Sequence, residues 1–497
     1  MYNTDVVIKI QRKILGAYMT NNKVAKVKNL AKDTGLFAIS GFGSKILLFL
    51  LTPLYTSILS TEQYGIADLI NTTINFVYPV MTLSIAEATL RYSMEKNLSK
   101  KAVFNNTLLI TLVSFILVLI IKPFIGLIDE ALSVYWFYFI AIYCLNNIQL
   151  SVSNFVKGTG KTTLFAITGI IQTVVIIVSN ILFLVVFKFE IDGYLWSIII
   201  GYAISTLVMF WFGEIYIYIF PLKFDKKLLK EMLVYSIPMI PTIIAWAINT
   251  SIDKYMIVNM VGMSDNGVYS VAHKIPTILT TILMIFLNAW QLAAISNYGE
   301  DDESEFQTDI YSIFNIVGLI GCFVILIANK FLASILFAND FYVAWHYVPF
   351  LTASAFFSAL AGFLAAAYRA AKKTKSLFVS VLVGAVVNIF LNYILLNWIG
   401  ILGAAVATGL SFFVVWFIRI VMVQKIVEIR IDISKTIFTY ALFFFAVIIE
   451  SIDVQYSICY SVGALVIVII IYFQSIKRIV IVLKSIIRRK LKKQNSV

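Results

Sequence analysis

Lys45 and Lys274 stand inside long apolar runs, where an ammonium group is costly unless it meets water or a partner. Lys45 lies about eleven residues into the run 34–57, too deep for its stem to reach an interface roughly 15 Å away. Lys274 lies about eight residues into the run 266–293, and neither lysine has an acidic residue three or four positions away. Asp68 opens the run 66–90, which also carries Asn71 and Asn75, four apart and so on one helical face. Glu87 and Arg91 share that four-residue spacing near its far end, which permits an ion pair along one face. Asp253 and Lys254 follow Asn249 and Ser251 in the run 232–258, and Asn146, Asn147, Gln149 and Asn154 add amides to the run 133–156. Such groups suit the non-covalent handling of an anion in a wet cavity: cations attract it, while carboxylates and amides gate it or couple it to an ion. The same residues also suit interhelical hydrogen bonds and ion pairs that fix packing, and the spacing alone leaves both readings open.

Covalent chemistry finds no comparable set. His273 and His346 are the only histidines, so no His-based metal or acid–base centre is expected, and no cofactor. Cys144, Cys322 and Cys459 are odd in number, far apart and set in apolar sequence, and they read as buried thiols. Gly158-Thr-Gly-Lys-Thr-Thr163 has the look of a phosphate-binding loop. However, Phe155 stands where the first glycine belongs, and no strand precedes it. An enzyme is therefore not expected.

The elements that must position these residues are membrane helices. Hydrophobic residues make up 61% of the 497 and charged residues 13%, about half the share of a soluble domain. Fourteen apolar runs, each near the roughly 20 residues of a spanning helix, cover about 34–57, 66–90, 103–121, 133–156, 163–187, 194–218, 232–258, 266–293, 309–329, 345–368, 376–397, 401–423, 435–449 and 456–476. The ten-residue alternating segments of a β-barrel are absent. This predicts an all-α polytopic membrane protein of about 14 transmembrane helices. Pro79, Pro238, Pro241 and Pro276 fall inside runs and predict kinks.

The cations sort by side. With the N-terminus inside, nearly all of the 39 lysines and arginines fall in cytoplasmic segments, Arg369 and Arg419 among them, whereas Lys122, Lys188, Lys254 and Lys330 fall outside. That asymmetry predicts both termini in the cytoplasm. The net charge of +13 then reflects orientation against an anionic inner surface, not nucleic-acid binding. The acidic stretch 300–305 runs against the pattern and reads as a solvated turn. Residues 1–32 are basic, without an early apolar core, so no cleavable signal peptide is expected.

A weak internal repeat is present. Leu59-Ser-Thr-Glu-Gln-Tyr-Gly65 and Val261-Gly-Met-Ser-Asp-Asn-Gly267 are both short turns that end in glycine and open a helix, 202 residues apart. Gly193 and Gly403 echo one another at the start of later runs. A shift of six helices keeps the same orientation, which predicts two parallel six-helix halves. The expected organisation is a basic N-terminal segment 1–32, bundles 33–219 and 220–425, two further transmembrane helices within 426–476, and a basic amphipathic tail 477–497.

Several stretches carry a family likeness: Phe42-Gly-Ser-Lys-Ile-Leu, Pro53-Leu-Tyr-Thr, Tyr64-Gly-Ile-Ala-Asp-Leu, Glu87-Ala-Thr-Leu-Arg-Tyr, Ser251-Ile-Asp-Lys-Tyr, Gly267-Val-Tyr-Ser-Val-Ala-His-Lys-Ile-Pro and Ala289-Trp-Gln. Over roughly residues 30–425 the chain resembles the Wzx-type O-antigen and capsule repeat-unit flippases of the MOP exporter superfamily. The resemblance implies a V-shaped, MATE/MurJ-like pair of six-helix bundles in the bacterial inner membrane, working by alternating access. It implies a substrate of undecaprenyl-diphosphate-linked glycan, with membrane lipid, a polymerase and other polysaccharide-assembly proteins as partners and no nucleic acid. Lys45, Arg91 and Lys274 match positions thought to hold the diphosphate. Lys254 departs from the arginine of many relatives, which weakens any bidentate phosphate grip there. Two other readings compete. A cation-coupled small-molecule antiporter of the multidrug type calls for an acidic, aromatic cavity. A membrane glycan polymerase or glycosyltransferase calls for a long outer loop with paired acids or a metal cluster.

Overall fold

The computed structural model describes residues 47, 49–95, 97–122, 129–296, 298–299, 303–371, 373–474 and 477. Lys45, most of the first run, the segment 1–32 and nearly all of the tail lie outside the described residues. Among those described the chain is helical throughout, without a strand. Eleven helices are long and apolar enough to cross a membrane, or twelve with one bent pair counted as a span. Of the fourteen expected, the first is represented only by its end, α1 (Thr52–Ile58). The last, α17 (Ser457–Ile471), has 15 residues, short of the roughly 20 needed to span. The chain is a multi-pass membrane protein.

α2 (Thr61–Met81) begins five residues before its predicted start. Its polar first turn carries no hydropathy signal but does carry a capping box: Ser60 Oγ accepts from Gln63 N, and Gln63 Oε1 accepts from Ser60 N. The run predicted as one helix, 66–90, is broken. Pro79 cannot donate within the ladder, Leu83 and Ser84 turn left-handed, and α3 (Ile85–Ser93) leaves at 65° to α2. α4 (Lys100–Ile120), α5 (Trp136–Gly158), α6 (Thr162–Asn180, extended by a π-turn Ile181–Val186) and α7 (Glu190–Phe212) complete the first half.

The second half opens with α8 (Lys226–Ser236), capped by Asp225. A 3₁₀ turn at Pro238 joins it to α9 (Ile240–Met260), so that 35 residues run as one helix. The predicted kink at Pro238 and Pro241 is thus a bend without a break. α10 (Met263–Ala272) and α11 (Lys274–Ser296) meet at His273, three residues before Pro276. There follow α12 (Glu303–Leu336), α13 (Val348–Ala370), α14 (Thr374–Ile399), α15 (Ile401–Val423) and α16 (Ile433–Ser451). α12 takes in the end of the acidic stretch: Glu303 accepts from Gly299 N and from the Gln307 amide, so this residue is part of a helix start, not a free turn.

α13 is the centre of the second half. It packs against α11, α15, α12 and α16, and nearly all of its side chains are buried. Its Phe357 meets Trp416 and Tyr440 at tilted and edge-on angles, and its Phe363 meets Tyr311 edge-on, in an aromatic core. In the first half α5 plays that part against α3, α4 and α7. Gly193 and Gly403 each press a helix start against the preceding helix, Gly193 on Phe183 and Gly403 on Leu395. The halves meet at two levels. α2 packs on α9 and α10 at one end of the bundle, and α3 packs on α8 at the end bearing most of the loop cations.

Candidate functional site

The inter-half contact away from the basic end is built on two glycines. A Cβ on Gly65 would lie 2.2 Å from the Met263 carbonyl oxygen, and one on Gly267 would lie 1.8 Å from that of Thr61. Only glycine lets α2 and α10 approach so closely, the packing device of small residues between membrane helices. These two residues are the pair that the sequence repeat relates, 202 positions apart. Around them, Thr61 and Ser264 hydroxyls lie 2.6 Å apart, and the Asn266 amide donates to the Gly65 carbonyl at 3.0 Å.

One turn further along, the close approach brings charged groups together. Lys254 of α9 pairs with Asp68 of α2, with Nζ 2.8 Å from Oδ2 and 3.0 Å from Oδ1. Ser270 Oγ donates to the same Oδ2 at 2.7 Å. Their side chains are only 14% and 21% exposed, so the pair is shielded from solvent, and losing either partner would leave the other charge uncompensated. Ser270 stands 202 residues from Asp68, the same repeat offset as the glycines. The Lys274 ammonium sits 5.9 Å from the Tyr64 ring centroid and within electrostatic reach of Asp68. Tyr255 extends the contact by donating to Thr73 of α2 at 2.9 Å.

Asp253, next to Lys254, turns the other way, into the second half, and is fully buried. Its Oδ2 accepts from Tyr269 OH at 2.5 Å and from Thr408 Oγ1 at 2.9 Å, and its Oδ1 from Lys254 N at 3.0 Å. Asn388 reaches both Thr408 and Ser411, and Asn392 donates to Asn388. A buried carboxylate that accepts from two hydroxyls and a backbone N–H, and that forms no ion pair among the described residues, is a group that a proton or a small cation can neutralise. No cluster of three or more His, Cys, Asp and Glu side chains suited to a metal is found among the described residues. His273 packs edge-on against Tyr269, at 4.9 Å between centroids.

The structure therefore gathers Asp68, Lys254 and Lys274 at one place and sets Asp253 beside it. It does not gather the rest. The expected Glu87–Arg91 pair is absent: Arg91 turns forward along the helix to Glu95 at 3.4 Å with its side chain 56% exposed. The helix ends at Ser93, and Glu95, half-buried like Glu87, lies just past that end within reach of Arg91. Asn71 bonds back to Ala67 of its own helix, and Asn75 is exposed. Asn249 is a packing residue whose amide donates to Ala245 and, across the helices, to the Val381 carbonyl at 2.8 Å.

Sequence reasoning misplaced one cation. Arg419, counted with the cytoplasmic connections, is buried inside the second half at 4% exposure. Its Nε donates to Ser380 Oγ at 2.9 Å and its Nη1 to the Ala361 carbonyl at 2.8 Å. The signal was present, because residue 419 lies inside the run 401–423, but sorting cations by the nearer loop concealed it. A cavity of about 420 Å³ opens beside it, lined by α9, α11, α13, α14 and α15.

Comparison with known proteins fits this geometry. The family model described as "Polysaccharide biosynthesis protein" matches residues 30–291, just over half of the chain. The model described as "MatE" matches residues 238–394. No curated protein matches. Among solved structures, a lipid II flippase MurJ in an inward closed conformation superposes with a TM-score of 0.65 at 18% identity, covering 89% of this chain and 99% of its own. An inward-facing multidrug resistance MATE family transporter of the MOP superfamily gives 0.63 at 13% identity, with 77% and 95% coverage. A MOP superfamily transporter from Pyrococcus furiosus, described as having reverse polarity of its binding pocket, gives 0.54 at 12% identity, with 80% and 96% coverage. The helical architecture is thus the one shared by MurJ and MATE transporters, and the chain belongs to the polysaccharide biosynthesis protein family.

Proposed function

We propose that this protein flips undecaprenyl-diphosphate-linked oligosaccharide repeat units across the bacterial inner membrane by alternating access, both termini being cytoplasmic. The observation that carries the reading is the Lys254–Asp68 pair, which ties one half of the molecule to the other across the α2–α10 crossing. Held closed, the crossing seals one end of the space between the halves. Parting it opens that end, and the broken pair leaves Lys254 beside Lys274 as two cations facing an arriving diphosphate. The polar head then crosses between the halves while its lipid tail stays in the bilayer, and no covalent step is needed. Asp253, one residue from Lys254 on the same helix, is the group through which a proton or cation bound in the second half would bias the closed and open states. Lys45 belongs to the same cationic set by its matched position.

A second reading, a cation-coupled small-molecule antiporter, is favoured by the "MatE" match over residues 238–394 and by the buried carboxylate Asp253. One experiment separates the two. Lys274→Ala is expected to abolish surface-glycan assembly at near-normal membrane abundance, with Lys274→Arg keeping part of it, because a point-charge contact depends on charge more than shape. Tolerance of cells to small organic cations should not change. Loss of tolerance with intact glycan assembly would establish the antiporter instead.

A further inference from the structure

Among the described residues, the cavity in the second half is lined by two arginines and by no carboxylate. Arg419, at its inner wall, is fixed by Ser380 and the Ala361 carbonyl, and Tyr368 OH donates to the Arg419 carbonyl at 2.8 Å. Two of the guanidinium's five N–H donors are thereby used, and Nη2 takes no protein partner among the described residues. No acidic side chain pairs with it there. Breaking a buried ion pair is costly because it leaves one charge uncompensated; here, among the described residues, no carboxylate pairs with the buried Arg419 guanidinium, and a second cation, Arg369, stands at the exposed mouth of the same cavity. Two cations lining one cavity raise the local potential and disfavour each other unless an anion comes between them. The remaining lining is neutral. Trp246, 38% exposed and held edge-on by Phe412, offers a flat face, and Thr242, Thr280 and Gln291 offer hydroxyl and amide groups. About 420 Å³ is within the usual range for a small-molecule site.

We infer that this cavity is an oxyanion subsite for the glycan head, separate from the α2–α9–α10 contact. Arg419 and Arg369 hold a phosphoryl or carboxylate group, and Trp246 receives the sugar ring next to it. The inference rests on the flippase reading for the identity of the ligand, but the anion site stands or falls on its own. A guanidinium fork suits either group, since both offer two coplanar oxygens.

The test is binding of inorganic pyrophosphate and of glucuronate to the purified full-length protein, with glucose as the neutral control, followed by calorimetry and by ligand-dependent thermal stabilisation. The wild type should bind at least one of the two anions saturably and glucose much more weakly. Preference for pyrophosphate assigns the subsite to the diphosphate, and preference for glucuronate to an acidic sugar. Arg419→Lys, which keeps the charge but loses the fork, should weaken binding about tenfold or more. Arg369→Gln, at an exposed position where folding is not at issue, should weaken it several-fold. Arg430→Gln, an exposed cation paired with Glu428, should change nothing. A purely structural Arg419 predicts lower thermal stability with unchanged anion affinity and a silent Arg369→Gln; that result, or no saturable anion binding by the wild type, overturns the inference. Glycan export by the same variants keeps the two readings apart. Export lost in Lys274→Ala but normal in both arginine variants sinks the subsite and leaves the flippase. Anion binding through Arg419 in a protein that exports no glycan does the reverse.

Discussion

Replacing Gly267 by alanine tests whether the α2–α10 crossing is a closure with two positions. The added Cβ would lie 1.8 Å from the Thr61 carbonyl oxygen, and real Cβ contacts essentially never fall below 3.0 Å. The obstructing atom is backbone, so no side chain can turn aside, and the helices must part by at least about 1.2 Å. At that separation the Thr61–Ser264, Asn266–Gly65 and Ser270–Asp68 hydrogen bonds are lost. At about 0.6 kcal/mol each for polar contacts between membrane helices, the closed state loses about 2 kcal/mol, a shift of about 20- to 30-fold towards open. The assay is a disulfide between Thr61→Cys and Ser264→Cys, whose parent hydroxyls lie 2.6 Å apart, in a background lacking Cys144, Cys322 and Cys459. The bridge should form readily with Gly267 present and poorly with Gly267→Ala, and Gly267→Leu should exaggerate the difference. Equal crosslinking in all three backgrounds would falsify the idea that the glycine contact sets the closed state.

Other perturbations test the assignments separately. Asp68→Asn or Lys254→Gln alone should lower glycan export and the thermal midpoint, by about 1–3 kcal/mol for a charge left in a shielded place, and the exchange Asp68→Lys with Lys254→Asp should recover part of the stability. Arg91→Ala should move stability by no more than about 0.5 kcal/mol, since its Glu95 pair is an exposed i,i+4 contact; a larger loss in a thermal melt would show a buried role. Asn249→Ala should cost about 0.5–1.5 kcal/mol in the same melt by removing the interhelical hydrogen bond to the Val381 carbonyl, which keeps its own helical N–H donor, and an unchanged midpoint would show that the bond contributes nothing.

The individual residues were more legible in the sequence than their partners were. Hydropathy located the spans because a bilayer imposes one length scale on every helix. It missed the polar first turn of α2 and the break at Leu83–Ser84, where capping and proline chemistry decide the backbone. Asp68, Lys254 and Lys274 each stood out as charges in apolar surroundings, but Asp68 and Lys254 are 186 positions apart, and nothing in either local pattern names the other. The repeat came closest to doing so: it related Gly65 to Gly267, and the structure brings these two glycines into contact. Arg419 was lost because a cation near the end of a run reads as a loop residue, and only packing tells whether its side chain points out to water or back into the bundle.

The helix from Lys226 to Met260 reaches both inter-half contacts, α8 lying on α3 and α9 on α2. At 1.5 Å per residue its 35 residues measure about 52 Å, with the Pro238 turn dividing it into arms of about 17 Å to Lys226 and about 24 Å to Lys254. The turn keeps right-handed helical dihedrals throughout, so it bends without parting. On the alternating-access reading such a rod would act as a seesaw. A tilt of about 10° about the turn lifts the Lys254 end by about 4 Å and drives the other end about 3 Å the opposite way. On the alternating-access reading, a pull at one end of this beam would be felt as a push at the other, and a leak through both ends at once would require the beam to snap at its fulcrum.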